Sequence, residues 1–197
     1  MSKGTDTAGE PSRLAGVDYG RLALRADSRG SFTEIWRASW FEPLTQSLTG
    51  APDARFVQAN LSRSAKGVLR GLHYHRHQLD YWTVFSGKAY VALVDVRPVL
   101  ADSKAAAIVE TRILEQGEHV IIPAGVAHGF LAIEPLELLY LVTAEWDDSD
   151  ELGFAWDDPA VGVPWPKVDG SPDGQPILSG RDSTNPTLVA LVERLRG

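Results

Sequence analysis

Eight short apolar segments, each four to eight residues long and most of them closed off by Gly, Pro, Asp or Ser, constrain this chain to a β fold. They are Phe32 to Trp36, Gly67 to His73, Trp82 to Phe85, Ala89 to Val96, Ala107 to Leu114, His119 to Ile122, Gly129 to Ile133 and Leu136 to Val142. All are rich in Val, Ile, Leu and aromatic residues, which favour strands, and strands so closely spaced predict an all-β sandwich or closed barrel. Helical periodicity is confined to two places. Ala38 to Thr45 predicts a short helix, and Asn185 to Arg196 a terminal one, because Leu188, Leu191, Val192 and Leu195 fall on one face at i, i+3, i+4, i+7. Between Asp147 and Asp182 the composition turns to Pro, Gly and Asp, which predicts extended, loop-like chain. No repeat or linker divides the sequence, and 44% hydrophobic content over 197 residues is enough for one sizeable core. We expect a single domain over residues 1–197, with the polar stretch 1–12 disordered.

Charge and composition narrow the function classes. A formal net charge of −7 speaks against nucleic-acid binding, which needs a basic face, although a few local arginines suffice for one phosphorylated small molecule. Cysteine is absent, so neither a disulfide framework nor a thiolate metal site is available. The amino terminus lacks the apolar centre of a signal peptide, and no segment approaches 18 uninterrupted apolar residues. The expectation is a soluble cytoplasmic protein with no membrane or nucleic-acid partner.

Chemistry concentrates between Arg70 and Asp80, where His73, His75 and His77, three of the five histidines, fall within five residues. Imidazole exchanges protons near neutral pH and is the commonest metal ligand, so the cluster reads either as an acid–base site or as a metal site. Six fragments lie in order around it: Asp27-Ser28-Arg29-Gly30-Ser31-Phe32-Thr33-Glu34, Gln58 to Ser62, Gly67 to Tyr74, Ile122 to Phe130, Trp156-Asp157-Asp158-Pro159 with Trp165-Pro166, and Leu178-Ser179-Gly180-Arg181-Asp182. Running from about residue 17 to about 188, with 13–188 as the corresponding unit, they resemble the dTDP-4-dehydrorhamnose 3,5-epimerase family.

That resemblance implies a cupin-type antiparallel β-barrel, or jelly roll, with a short C-terminal helix. It implies epimerisation of a dTDP-linked 4-keto-6-deoxy sugar, in which a base removes a proton made acidic by the ketone and an acid returns one from the opposite ring face. His73 aligns with the base, Asp182 with the carboxylate that orients it, and Tyr140 with the proton donor. Arg29 and Arg70 align with positions that pair with the diphosphate, a task suited to the bidentate guanidinium fork. Phe32 and Glu34 match residues around the thymine base, and Gln58, Asn60 and His128 match positions lining the cleft. The family needs no cofactor, and it forms homodimers that exchange strands near the amino terminus.

The chain departs from the family at Asp80, where a lysine would hold the developing enolate oxygen; the loop before it is about two residues shorter, and a second tyrosine is replaced by Trp146. Loss of one such donor typically slows a reaction by about 100- to 1000-fold. The same residues also fit the spacing of metal-binding cupins, with His73, His75, Asp80 and His128 as ligands for a divalent metal ion. A His73 shared between metal and Asp182 would have no nitrogen left to act as base. Cationic His75 or His77 is a third option, standing in for the lysine, although His77 reads more simply as exposed loop. The function classes to weigh are therefore a keto-sugar epimerase, a metal-dependent enzyme and a sugar-nucleotide binder with little catalysis.

Overall fold

Segments whose two faces are both apolar need cover on both sides, and here they form the middle of two facing sheets. The computed structural model describes residues 5–6, 10–102 and 104–196. In chain order the elements are β1 (Thr5–Asp6), β2 (Asp18–Leu22), β3 (Leu24–Asp27), β4 (Gly30–Thr33), α1 (Ala38–Thr49), β5 (Gln58–Ser64), β6 (Leu69–Tyr74), β7 (Asp80–Ser86) and β8 (Lys88–Asp95). They continue with α2 (Arg97–Ala101), β9 (Ile108–Glu115), β10 (Glu118–Ile122), β11 (Val126–Ala132), β12 (Leu136–Val142), β13 (Leu152–Gly153) and α3 (Leu188–Arg196). One sheet has the order β1-β2-β10-β7-β12-β5 and the other β13-β6-β11-β8-β9, while among the described residues β3 and β4 pair only with each other. The strand pairings within the sheets are antiparallel. The fold is thus the all-β jelly roll the sequence predicts, as two sheets face to face rather than one closed ladder.

Period-two alternation sorts the side chains into three apolar groups. Trp82 and Val84 of β7, Val91 and Leu93 of β8, and Phe130 of β11 point between the sheets. Their neighbours point outward: Tyr81 and Ile121 pack under Phe41 of α1, and Ala92, Val94 and Ala127 pack under Leu188, Leu191 and Val192 of α3. Each helix therefore covers the outer face of one sheet. Among the described residues no helix is long and apolar enough to cross a membrane.

Several boundaries differ from the sequence reading, each for a local reason. The first helix runs on to Thr49 and stops at Gly50, whose φ of 72° suits a left-handed cap and whose N–H bonds the Gln46 carbonyl. The terminal helix begins three residues later than predicted, because Thr187 Oγ1 caps the Ala190 N–H and Asp158 takes the Leu188 N–H. Among the described residues, the segment Phe32 to Trp36 is paired at Phe32 and Thr33 and not beyond. Of the stretch expected to be disordered, residues 1–4 and 7–9 lie outside the described residues. Within the remainder, Thr5 and Asp6 pair with β2, and Ser12 Oγ donates to Glu110 at 2.8 Å.

His119 on β10 is a structural histidine. Its ring is buried 5.3 Å from that of Tyr81, and its Nδ1 has no hydrogen-bond partner among the described residues. Burial pulls its pKa down to about 4. An unfolded histidine titrates near 6.5, so the unfolded chain binds the extra proton first. The stability this residue protects is complete above about pH 6.5 and is lost as pH falls toward 4, by up to about 3 kcal/mol. His119→Phe is expected to flatten the dependence of the urea midpoint on pH between 7 and 4.5; an unchanged slope would exclude His119 as its source.

Candidate active site

The inner faces of the two sheets leave a cavity of about 390 Å³. Gln58 and Asn60 of β5, Asp80 of β7 and Tyr140 of β12 line it from one sheet, and Arg70, His73 and His128 of β6 and β11 from the other. Arg70 and His73 are three residues apart, and a regular strand would aim them at opposite faces. Both line the cavity because β6 carries one extra residue: His73 faces His128 while Arg70 faces Phe130, a bulge that resets the alternation. Glycine makes it possible. Gly71 has φ of 122°, and a Cβ there would sit 2.7 Å from the Gly129 Cα, so only two glycines let the strands close here.

His73 Nε2 lies 2.8 Å from Asp182 Oδ1. Asp182 is buried, which favours its neutral form, but hydrogen bonds from His73 and Ser179 overcome this and hold its carboxyl below the ordinary range. The carboxylate accepts, so Nε2 carries the hydrogen and the Nδ1 of a neutral His73 is a free base. Ser179 fixes the carboxylate in turn, donating to Oδ2 at 2.8 Å. Across the cavity, burial first and then Asp80 and Glu151 push the Tyr140 pKa up, so its phenol keeps its proton at neutral pH. Arg70 is steered by its Nε donating to Ser64 Oγ at 3.1 Å, and Trp146 lines the cavity while its backbone N–H donates to Gln58 Oε1.

The remaining histidines separate. His75, just beyond β6, donates Nδ1–H to the Asp150 carbonyl at 2.9 Å, and His128 donates Nδ1–H to the Val126 carbonyl at 3.2 Å. Burial outweighs the nearby Asp80 and pulls the His128 pKa down to about 4, so this ring is neutral. Asp80 accepts from Gln78 Nε2 at 2.7 Å and from Trp82 Nε1 at 3.0 Å. One ligand atom each of His75, Asp80 and His128 lies within 4.8 Å of the others, and His73 is outside that group. Of the four residues weighed from the sequence as an alternative metal-ligand set, His75, Asp80 and His128 are brought together and His73 is not. His77 lies away from the cavity, with its N–H directed at Asp150.

Three predicted residues are not brought to the cavity. Arg29, Phe32 and Glu34 sit on or beside the β3–β4 hairpin, where Arg29 pairs with Asp27 and Arg37 with Glu34. Phe32 is 67% exposed. The hairpin joins neither sheet, so within one chain it stands off the core. Conversely, Gln78, Trp82 and Glu151 line the cavity without having been singled out. The alternation of Gln78, Asp80 and Trp82 was the available signal for the first two; for Glu151, in a loop, there was none.

With this geometry in hand, likeness to known proteins is specific. Residues 11–190 match the sequence profile of the dTDP-4-dehydrorhamnose 3,5-epimerase family. The dTDP-4-dehydrorhamnose 3,5-epimerase of Sinorhizobium fredii is 33% identical over 186 residues, covering 90% of this chain and 88% of its own. The crystal structure of the epimerase RmlC from Legionella pneumophila, in complex with dTDP-4-keto-L-rhamnose, superposes with a TM-score of 0.75 at 28% identity, covering 92% of this chain and 94% of that one. NovW of Streptomyces spheroides, a 4-keto-6-deoxy sugar epimerase, reaches a TM-score of 0.77 at 28% identity over 98% of this chain and 94% of its own.

Proposed function

The chain belongs to the dTDP-4-dehydrorhamnose 3,5-epimerase family, and we propose that its cavity epimerises a dTDP-linked 4-keto-6-deoxy sugar at C3, C5 or both. One observation carries this: a hydrogen-bonded His73–Asp182 pair and a protonated Tyr140 approach one cavity from opposite sheets. The 4-keto group acidifies the neighbouring C–H bonds. His73 Nδ1 takes the proton, and the imidazolium is stabilised by the Asp182 carboxylate. Tyr140 returns a proton to the other face of the enolate. Solvent then reprotonates Tyr140 and relieves His73, so the net change is inversion alone. The test is deuterium entry from solvent into C3 or C5 of dTDP-4-keto-6-deoxyglucose. Thermal stabilisation by the nucleotide sugar with no exchange would instead mark a binder.

Arg70 is assigned to the diphosphate, which its cavity position and fixed Nε support. Arg70→Ala is expected to weaken dTDP binding by about 10- to 100-fold, and Arg70→Lys to recover only part of this, because lysine keeps the charge and loses the fork. Equal losses in titration calorimetry would argue against bidentate contact. Arg29, Phe32 and Glu34 take up their expected roles only in a homodimer in which the β3–β4 hairpin reaches a second copy. Two features support that arrangement: the hairpin exposes Leu24 and Phe32 at 66% and 67%, and an isolated two-stranded sheet is marginal in water.

A further inference from the structure

We propose that Asp80 fits the sugar subsite to an amino sugar, a dTDP-linked 4-keto-6-deoxy hexose that carries an ammonium group at C3. The sugar class rests on the epimerase reading of the cavity; the preference for a cation rests on the charges around it. Two carboxylates, Asp80 and Glu151, line the cavity together with one guanidinium, Arg70, and among the described residues no lysine does. Glu151 is already matched, because Arg181 Nη1 meets its Oε1 at 2.6 Å. Asp80 is not. Its two donors, the Gln78 amide at 2.7 Å and the Trp82 indole at 3.0 Å, are neutral. Among the described residues the one basic nitrogen within ion-pair range is His128 Nε2, at 3.6 Å, and burial keeps that ring neutral. At 3% exposure the carboxylate has little water to offset its charge. Each of its oxygens accepts one hydrogen bond and keeps a lone pair, so it can take a further, charged donor from the cavity.

The same field acts on the reaction. Removing the proton beside the ketone leaves negative charge on O4, and Asp80 stands where the epimerase resemblance expects a lysine to meet it. A carboxylate in that place repels the enolate. The repulsion is visible at Tyr140, whose ionisation is opposed by burial first and then by Asp80 and Glu151, with Arg70 acting against them. An ammonium on the substrate reverses the sign: it pairs with Asp80, lies beside the charge developing on O4, and acidifies the C–H bonds next to the ketone. Only C3 can carry it. C4 is the ketone and C5 already bears the ring oxygen and the C6 methyl, so of the two carbons flanking the ketone C3 alone has a hydroxyl to exchange for an amine. The proton inventory is that of the epimerisation itself: His73 takes one, Tyr140 returns one, and the ammonium keeps its own.

The test is titration calorimetry of the unsubstituted chain, at neutral pH, with three stable nucleotide sugars that differ only at C3. They are dTDP-6-deoxyglucose, its 3-amino-3-deoxy analogue and the 3-acetamido form of that analogue, with dTDP as the reference. The amino sugar is expected to bind about 10- to 100-fold more tightly than the hydroxyl sugar, the range of one charged hydrogen bond. The acetamido sugar has the nitrogen without the charge and should gain nothing. Asp80→Asn is expected to abolish the preference and Asp80→Lys to invert it, each read as a ratio to dTDP in the same protein, so that a general loss of binding cancels. Equal binding of amino and hydroxyl sugars by the unsubstituted chain would overturn the proposal without any variant, and would mean that Asp80 is matched from within the protein. A preference that survives Asp80→Asn would overturn it as well. Solvent deuterium exchange into the corresponding keto sugars separates this subsite from the epimerase reading. Preference for the amine with exchange in neither sugar removes the epimerase and leaves the cationic subsite; exchange in dTDP-4-keto-6-deoxyglucose with no amine preference does the reverse.

Discussion

His73→Asn is expected to lower solvent deuterium exchange into the keto sugar by about 1000-fold or more, the upper range for removal of a positioned general base, while dTDP affinity stays within about twofold. The asymmetry follows from position. His73 is held by Asp182 through Nε2, so its contribution lies at the hexose. The nucleotide contact is assigned to Arg70, whose guanidinium is fixed independently by Ser64. Asparagine has no basic nitrogen and still offers a donor to Asp182, so the buried carboxylate keeps a partner and the fold should hold. Exchange measured by NMR and binding by calorimetry separate the two effects. Unchanged exchange in a folded variant would remove His73 from the role, and a parallel loss of dTDP binding would make it a binding residue.

The strands buried on both faces were legible because their sequences leave no alternative. Val91 to Val94 is apolar at every position, and the structure buries one set between the sheets and the other under α3. Strand β5 was not legible: Gln58 to Ser64 carries one leucine, and that leucine is 42% exposed while polar side chains line the cavity. A strand that serves a polar pocket inverts the usual pattern. Strands β2 and β3 were not legible for a different reason: Asp18 to Leu22 and Leu24 to Asp27 carry too few apolar residues to signal a strand, and their partners are chosen by the fold.

At the site, residue types were readable and their grouping was not. Resemblance to the spacing of metal-binding cupins put His73 in one alternative ligand set with His75, Asp80 and His128. What separates them is long-range: Asp182 claims one ring from 109 residues away, and the Asp150 carbonyl turns the other. The family resemblance named Arg70 and His73 for one site, but strand alternation over a three-residue interval does not explain how both face it; the bulge opposite Gly129 does. Gly71 was the visible trace of that bulge, and a Gly71→Ala substitution would drive a Cβ into the facing backbone.

Tyr140→Phe is expected to uncouple exchange from inversion. The phenol stands on β12 and His73 on β6, in opposite sheets, so its loss removes the donor for one ring face and leaves the base on the other. Proton abstraction then continues, and the enolate recaptures a deuteron from the face it lost the proton from. Inverted product should fall by about 100- to 1000-fold, within the range for one general acid, while deuterium entry with retention falls far less. Burial and the nearby Asp80 and Glu151 raise the Tyr140 pKa, so the wild-type donor stays protonated through neutral pH and its ionisation should not limit the rate there. Phenylalanine preserves the ring that packs against the core between the sheets, which makes loss of fold a poor explanation for loss of inversion. NMR of the product under deuterated solvent distinguishes the outcomes directly: equal losses of exchange and inversion would place Tyr140 in the abstraction step, and no loss of either would remove it from proton transfer.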